Sequence, residues 1–204
     1  MQTYKKYLDF LDNNILRKFF EQQKDYLCCK DGCSHCCEIG EYPYSLLEFK
    51  YLMSGYENLD DKTKNSIHEK IKKIIENKKA NNVSTFLYEC PFLINKRCCL
   101  YEHRGLVCRT HGLLFFVTDE ENQTRNKIPS CVKIGLNYSK VYDSQKHMIS
   151  QELWVKSGII QEPLAYNISR DALMNSSIAK DLGLNFGDSK TLIDFLIDSQ
   201  INKD

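Results

Sequence analysis

The sequence has no excess of charge of one sign and no long apolar run, and each absence argues against a class of function. Its 28 basic residues nearly balance 27 acidic residues, so overall charge does not draw the chain to nucleic acid or to an anionic membrane. The longest apolar run, GLLFFV from Gly112, has the length of a strand, whereas a membrane span needs about 18 apolar residues or more. We therefore expect no membrane partner and do not favour a nucleic-acid partner.

The sequence also lacks the usual signals of secretion and of nucleotide chemistry. Residues 1–10 contain neither the apolar segment nor the small-residue cleavage site of a signal peptide, which predicts a cytoplasmic protein. No P-loop, dinucleotide-binding fingerprint or Ser/His/Asp pattern is present. Without these motifs, the sequence leaves open whether the protein is an enzyme.

Cysteine is the residue that the sequence has in excess. All ten cysteines lie between Cys28 and Cys131, and five of them fall in the stretch CCKDGCSHCC that begins at Cys28. Structural disulfides are rare in the reducing cytoplasm, where clustered cysteines usually bind metal or carry out redox chemistry. The cysteine-bearing region is therefore interpreted as one functional unit.

The spacing of the cysteines favours metal binding. In the first cluster, three residues separate Cys29 from Cys33 and two separate Cys33 from Cys36, with Cys37 adjacent. Loops of this kind hold tetrahedral zinc as well as iron–sulfur clusters. A second set comprises Cys90, Cys98, Cys99 and Cys108, with Cys131 further along the chain. We expect folding to join the two sets in one composite site, whose metal then contributes folding energy.

These motifs resemble those of a known family. The pattern C-x3-C-x2-CC at Cys29, CPFL at Cys90 and CLYEHRGLVCR at Cys99 resemble the YkgJ-like cysteine-cluster family, a zinc- or iron-chelating domain with a CxxCxxCC signature, over residues 25–135. The resemblance implies seven ligands, with Cys131 as an eighth: Cys29, Cys33, Cys36, Cys37, Cys90, Cys99, Cys108 and Cys131.

The chain departs from the family pattern in three ways. The first gap has three residues rather than two, and Gly105 follows Arg104 where the family commonly has proline, which loosens that turn. Cys28 and Cys98 are additional members of adjacent pairs, so the pattern leaves open which cysteine of each pair is the ligand.

The fold class predicted is mainly α with a small β-hairpin, in a single domain organised around a cysteine-ligated metal centre. We expect residues 1–135 to form the cysteine-cluster domain with its N-terminal helix, and residues 136–204 to form a helical extension packed on it. The predicted helices are one with an apolar face from Tyr4 to Phe19, one that starts at a capping box of Ser45 and Glu48, and one after Asp60 or Asp61. A hairpin is predicted from Leu113 to Cys131, and further helices near Val141–Val155 and Lys190–Ser199.

Charged and aromatic residues accompany the cysteines. Arg104 and Arg109 flank Cys108 and are placed to offset thiolate charge. His35 and His111 lie close enough in sequence to replace a sulfur ligand, although a loop histidine more often serves as an ordinary polar residue. We expect the neighbouring aromatic residues to keep water away from the metal.

The function predicted is that of a cytoplasmic protein that holds zinc or iron through its clustered cysteines, with iron either as an ion or in a 4Fe–4S cluster. One alternative is a cluster-dependent modification enzyme, since flagellin lysine methylases have a similar cysteine pattern; another is a thiol redox sensor. A radical-SAM enzyme also matches the first spacing, but such enzymes place this loop after the first strand of a large parallel barrel.

Overall fold

The structure is a computed structural model that describes residues 1–30, 32–81 and 85–199. In chain order the α-helices are α1 Gln2–Phe10, α2 Arg17–Gln22, α3 His35–Glu38, α4 Leu46–Tyr56, α5 Asp61–Ala80, α6 Leu106–Thr110, α7 Gln151–Ser157, α8 Arg170–Met174, α9 Ser177–Asp181 and α10 Leu192–Asp198. The strands are β1 Pro43–Ser45, β2 Leu93–Ile94, β3 Arg97–Cys98, β4 Phe115–Thr118, β5 Thr124–Lys127, β6 Tyr142–Asp143, β7 Met148–Ile149 and β8 Ser189–Thr191.

The predicted fold class is confirmed in its coarse form, mainly helical with small antiparallel strand pairs. Three of these pairs are hairpins, β2–β3, β4–β5 and β6–β7, while β1 pairs with the distant β8. The predicted hairpin after Leu113 is β4–β5. Throughout the described ranges, each helix is too short or too polar to span a lipid bilayer.

Contacts divide the chain into two compact units. Unit 1 comprises Met1–Asp31 and Arg109–Leu184, and unit 2 comprises Gly32–Cys108 and Asn185–Asp204. Units of this kind are sets of mutual contacts and need not be domains that fold alone. The predicted domains at 1–135 and 136–204 therefore stay a prediction.

The N-terminal helix of unit 1 follows the predicted apolar face with one shift. Between α1 and α2 the residues Leu11–Leu16 form a π-helix, which has a larger turn than an α-helix. Leu11 is buried as expected, but five positions later Leu16 is buried while Ile15 is only half-buried. The wider turn therefore moves the apolar face one residue along the chain.

Aromatic residues form a core cluster of unit 1. Tyr26 stacks on Tyr138 with ring centroids 5.3 Å apart, and Leu114, Val132 and Val141 pack around them. The buried Gln23 side chain accepts hydrogen bonds from the Leu164 backbone N–H and the Tyr138 hydroxyl. A buried amide with several partners holds these separate segments in one arrangement.

The predicted helix near Val141–Val155 is wrong in its first half. Residues 142–149 form the β6–β7 hairpin, and α7 begins only after Ser150, whose hydroxyl accepts a hydrogen bond from Leu153 N–H. The Asp143 carboxylate accepts hydrogen bonds from the backbone N–H groups of Gln145 and Lys146. This local competition with helical hydrogen bonds favours a turn.

Unit 2 is built on two capped helices. Ser45 and Glu48 form the predicted capping box at the start of α4, and Asp60 caps α5 by accepting a hydrogen bond from Thr63 N–H. Helix α5 buries Ile67, Ile71 and Ile74 in the core of this unit.

The C-terminal segment of unit 2 completes this core. Strand β8 pairs with β1, so that Tyr44 lies opposite Lys190. Helix α10 confirms the predicted last helix, and it is capped by Thr191, whose hydroxyl accepts a hydrogen bond from Asp194 N–H. Its apolar face packs into the same core as α5.

Replacing Ile71 with alanine should destabilise the protein by about 2–5 kcal/mol, because a fully buried side chain leaves a cavity. Lys72→Ala, at the adjacent exposed position, is the matched control and should change stability by less than about 0.5 kcal/mol. Chemical denaturation of the metal-free protein measures both. Equal effects of the two substitutions would contradict the packing described for α5.

Candidate metal centre

A single helical turn presents two adjacent cysteines in unit 2. Helix α3 contains Cys36 and Cys37, whose sulfurs lie 3.9 Å apart. The turn begins after the buried Ser34, whose carbonyl accepts a hydrogen bond from Cys37 N–H and whose hydroxyl donates to the Glu38 carboxylate. The tight turn therefore sets the positions of both thiols.

Backbone hydrogen bonds join this turn to the second cysteine-bearing segment. Cys90 N–H donates to the Cys37 carbonyl at 2.8 Å, and Gly40 and Tyr88 exchange a pair of backbone hydrogen bonds at 3.1 Å. Residues about fifty positions apart are thereby held side by side. Folding thus places the Cys37 and Cys90 segments next to each other, whereas the composite metal site stays a prediction.

The β2–β3 hairpin adds the adjacent pair of Cys98 and Cys99. Its two turn residues, Asn95 and Lys96, have φ angles of 50° and 60°, the left-handed conformation that a tight two-residue hairpin requires. The hairpin returns the chain so that Cys99 N–H donates to the Phe92 carbonyl. Cys90 and both members of the pair pack against the apolar core of unit 2.

Cys108 is presented by α6, whose start is held by two side chains of the β1–α4 segment. Leu106 N–H donates to the Glu48 carboxylate at 2.9 Å, and Gly105 N–H donates to the Tyr44 hydroxyl at 3.1 Å. The same hydroxyl lies 3.9 Å from the Cys108 sulfur. Glu48 therefore contributes to the starts of both α4 and α6.

The grouped thiols disfavour one another's ionisation in the metal-free protein. Burial raises the pKa of the Cys108 thiol to about 12, and the nearby Cys98 adds to this shift. The hydrogen bond with Cys37 raises the pKa of the Cys36 thiol, with burial as the second cause. Burial also raises the pKa of Cys90, with Cys108 as the next cause. Without a cation, these sulfurs are protonated at neutral pH.

The members of the Cys98–Cys99 pair differ in their electrostatic neighbours. Burial raises the pKa of Cys98 to about 11, and among the smaller effects are those of Cys99 and Cys36. Burial also raises the pKa of Cys99, but the charged neighbour recorded for this thiol is Lys70, which opposes the shift. The pKa of the Cys90 thiol responds to both members of the pair, whereas the effects recorded between this pair and the Cys36 and Cys108 thiols involve Cys98.

The two flanking arginines have different surroundings. Arg104 stacks on Tyr101, with its guanidinium 3.7 Å from the ring centroid, and it opposes the upward pKa shifts of Cys98 and Cys108. This agrees with the charge-offsetting role predicted for Arg104. Arg109 belongs to unit 1, where its buried guanidinium forms an ion pair with Asp12 in the π-helical segment.

The other three predicted ligands have different surroundings. Cys33 belongs to unit 2 but is exposed, one residue after Gly32, whose φ of 84° permits the turn there. Cys29 and Cys131 belong to unit 1, where Cys29 is exposed and Cys131 is buried. Their roles as ligands stay predictions.

Within unit 1, a buried asparagine organises the chain around Cys29. The Asn137 side-chain NH₂ donates to the Gly112 carbonyl at 3.0 Å and to the Cys29 sulfur at 3.1 Å. Its side-chain oxygen accepts a hydrogen bond from Cys28 N–H at 2.7 Å. Nothing in the sequence pattern singles out Asn137, because its partners are distant in the chain.

The donor set suits a thiophilic metal, although its sulfurs are not gathered into a ready coordination shell. The ten cysteines, all among the described residues, form no disulfide, and no group of three or more His, Cys, Asp or Glu residues within residues 1–30, 32–81 and 85–199 is arranged to hold a metal ion. Thiolates are preferred ligands of zinc and of iron–sulfur clusters. A cation would supply the charge that the grouped thiols of unit 2 lack.

No protein-family model, curated protein or solved structure matches this chain. The resemblance to the YkgJ-like family therefore stays a prediction, and the site must be judged by its own chemistry.

Replacing Asn137 with alanine should destabilise the protein by about 1–3 kcal/mol, because it leaves the Cys28 N–H and the Gly112 carbonyl without this partner. Ser139→Ala is the control, since that hydroxyl makes an exposed hydrogen bond to Gly135. Thermal unfolding of the metal-free protein checks the difference. An unchanged melting temperature in Asn137→Ala would show that this asparagine does not organise the segment.

Proposed function

We propose that this chain is a cytoplasmic metal-binding protein that holds zinc or iron, with iron either as an ion or in a 4Fe–4S cluster. The observation that carries the proposal is the meeting of cysteine-bearing segments in unit 2. The Cys36 and Cys37 sulfurs lie 3.9 Å apart, and Cys90 N–H donates to the Cys37 carbonyl. Besides burial, Cys98 and Cys36 contribute to the raised pKa of Cys108. The resemblance to the YkgJ-like family supports the same function.

The electrostatics of the group give the physical reason for a metal. Protonated thiols packed together against an apolar core gain little, whereas a bound cation converts them to thiolates and neutralises them. The pKa values of Cys36, Cys90 and Cys108 are raised, so their thiolate forms need nearby positive charge, which a bound metal would supply. Arg104 contributes positive charge on one side of the group.

The tertiary structure does not favour the radical-SAM alternative. Those enzymes use a parallel β/α barrel, whereas the strands in the described part of this chain occur in two-stranded antiparallel sheets. No observation in the structure favours the methyltransferase or redox-sensor alternatives over metal binding. A closed thiolate site would be structural, whereas a site with an open coordination position could be catalytic.

Elemental analysis of protein purified without oxygen should find zinc or iron in a fixed ratio to protein. Iron with inorganic sulfide and broad visible absorption would identify a cluster, whereas zinc alone would leave the protein colourless. Cys108→Ser should lose metal affinity by more than the ~10–100-fold known for substitutions outside the coordination shell. Cys28→Ser, at an exposed cysteine of unit 1, should keep the metal content.

A wild-type protein without metal, after expression in medium containing both zinc and iron, would refute the proposal. The paired variants Cys98→Ser and Cys99→Ser show which adjacent cysteine binds. Loss of metal from Cys98→Ser alone is expected from the electrostatic contacts of Cys98. Loss from Cys99→Ser alone would restore the ligand set implied by the family resemblance.

A further inference from the structure

Among the described thiols of unit 2, Cys108 is the one recorded with a side-chain hydroxyl next to its sulfur. The Tyr44 hydroxyl lies 3.9 Å from the Cys108 sulfur, and the tyrosine is buried against the core. By contrast, the neighbouring Tyr42 hydroxyl donates to the backbone carbonyls of Cys36 and Tyr88. The two tyrosines thus share a core but differ in the atoms that their hydroxyls face.

The orientation of the Tyr44 hydroxyl follows from its second contact. Gly105 N–H donates to the phenol oxygen at 3.1 Å, so this oxygen is the acceptor in that hydrogen bond. A phenol has one proton of its own, which remains available for another acceptor. The Cys108 sulfur is the acceptor nearby, and the phenol proton is therefore directed toward it.

Gly105 is the residue that permits this arrangement. A Cβ atom at this position would lie 2.8 Å from Cζ of Tyr44 and 3.2 Å from a carboxylate oxygen of Glu48. The first distance is too short for any side chain unless the ring moves. Proline, which the family commonly has here, would also remove the N–H that holds the hydroxyl. Glycine in place of the family's proline is therefore what allows the Tyr44 contact.

Glu48 fixes the backbone of the same corner. One of its carboxylate oxygens accepts from Leu106 N–H and the other accepts from Ser45 N–H. Two adjacent backbone N–H groups before Cys108, those of Gly105 and Leu106, thus donate to side chains of the β1–α4 segment. Such support limits how far the Cys108 sulfur can move relative to the Tyr44 hydroxyl.

We propose that Tyr44 is a positioning residue that donates a hydrogen bond to the Cys108 sulfur, with Gly105 holding its hydroxyl in the donating orientation. This inference rests on the proposed metal function and names the group that tunes one sulfur of the centre. A hydrogen bond to a metal-bound thiolate withdraws electron density from the sulfur and, in an iron–sulfur cluster, raises the reduction potential.

Cobalt(II) is a suitable probe, because it takes the tetrahedral thiolate sites of zinc and gives sulfur-to-cobalt charge-transfer absorption. The full-length wild-type protein and Tyr44→Phe are loaded with cobalt(II) alone, under reducing conditions without oxygen. In Tyr44→Phe the charge-transfer band should move to longer wavelength, because a sulfur without its hydrogen bond is a better electron donor. A residue with only a packing role would leave the band in place, since phenylalanine keeps the ring.

Tyr42→Phe is the matched control, because it removes a hydroxyl from the same core that bonds only to carbonyls among its recorded partners. Its band should not move. Gly105→Ala should shift the band in the same direction as Tyr44→Phe, because the added methyl group displaces the tyrosine ring. Circular dichroism confirms that each variant is folded before loading.

The possible results separate this inference from the function on which it rests. Cobalt-loaded wild-type and Tyr44→Phe proteins with the same band would overturn the donor role of Tyr44 and leave the metal function intact. An equal shift in Tyr42→Phe would also overturn it, since the effect would not depend on the sulfur contact. A wild-type protein that binds none of cobalt, zinc or iron would remove the metal function and this inference with it.

Discussion

The buried Glu48 carboxylate is the contact on which the geometry of unit 2 most depends. One oxygen belongs to the capping box of α4, and the other holds the first N–H of α6. A charged group is rarely buried unless several hydrogen-bond donors compensate the cost of removing it from water. Here the compensating donors are the backbone N–H groups of Ser45 and Leu106, at the starts of two helices. The carboxylate therefore connects the helix that supports the core to the helix that presents Cys108.

Around this fixed corner, unit 2 brings thiols together, with Arg104 as a positive charge that opposes the upward pKa shifts of Cys98 and Cys108. The contact between Cys36 and Cys37, and the burial of Cys90 and Cys108, all raise thiol pKa values. Bringing a thiol close to other thiols and out of water disfavours its thiolate form. This electrostatic cost is the physical argument behind the proposal of a metal, since a bound cation would favour the thiolates.

The region before Cys108 shows how a departure from a family pattern can be meaningful. Gly105 suggests a looser turn when the sequence is considered alone. In the structure, its missing side chain instead allows the Tyr44 ring and the Glu48 carboxylate to approach the backbone closely. The turn is held by hydrogen bonds to both residues, and glycine is required there for space, while its N–H is one that proline would lack.

The sequence by itself determined the features that depend on neighbouring residues. The Ser45–Glu48 capping box, the Asp60 cap, the apolar face of α5 and the β4–β5 hairpin all follow from short patterns, since their hydrogen bonds and packing periods are local. The clustering of cysteines likewise predicted a metal site. Local patterns failed where side chains competed with helical hydrogen bonds, as Asp143 does, and where the π-helical turn shifted the apolar face to Leu16.

Only the tertiary structure decided which thiols meet and what surrounds them. Cys37 and Cys90 are joined by a backbone hydrogen bond, and the effect recorded between the Cys98–Cys99 pair and Cys36 involves Cys98, the member that the family resemblance does not imply as a ligand. The second role of Glu48, at Leu106, and the contact of Tyr44 with Cys108 cross about sixty residues of chain. Such contacts leave no periodic pattern in the sequence, because they depend on the packing of separate elements on a shared core. The sequence therefore determined the chemistry of the donors, and the packing of unit 2 decided their arrangement.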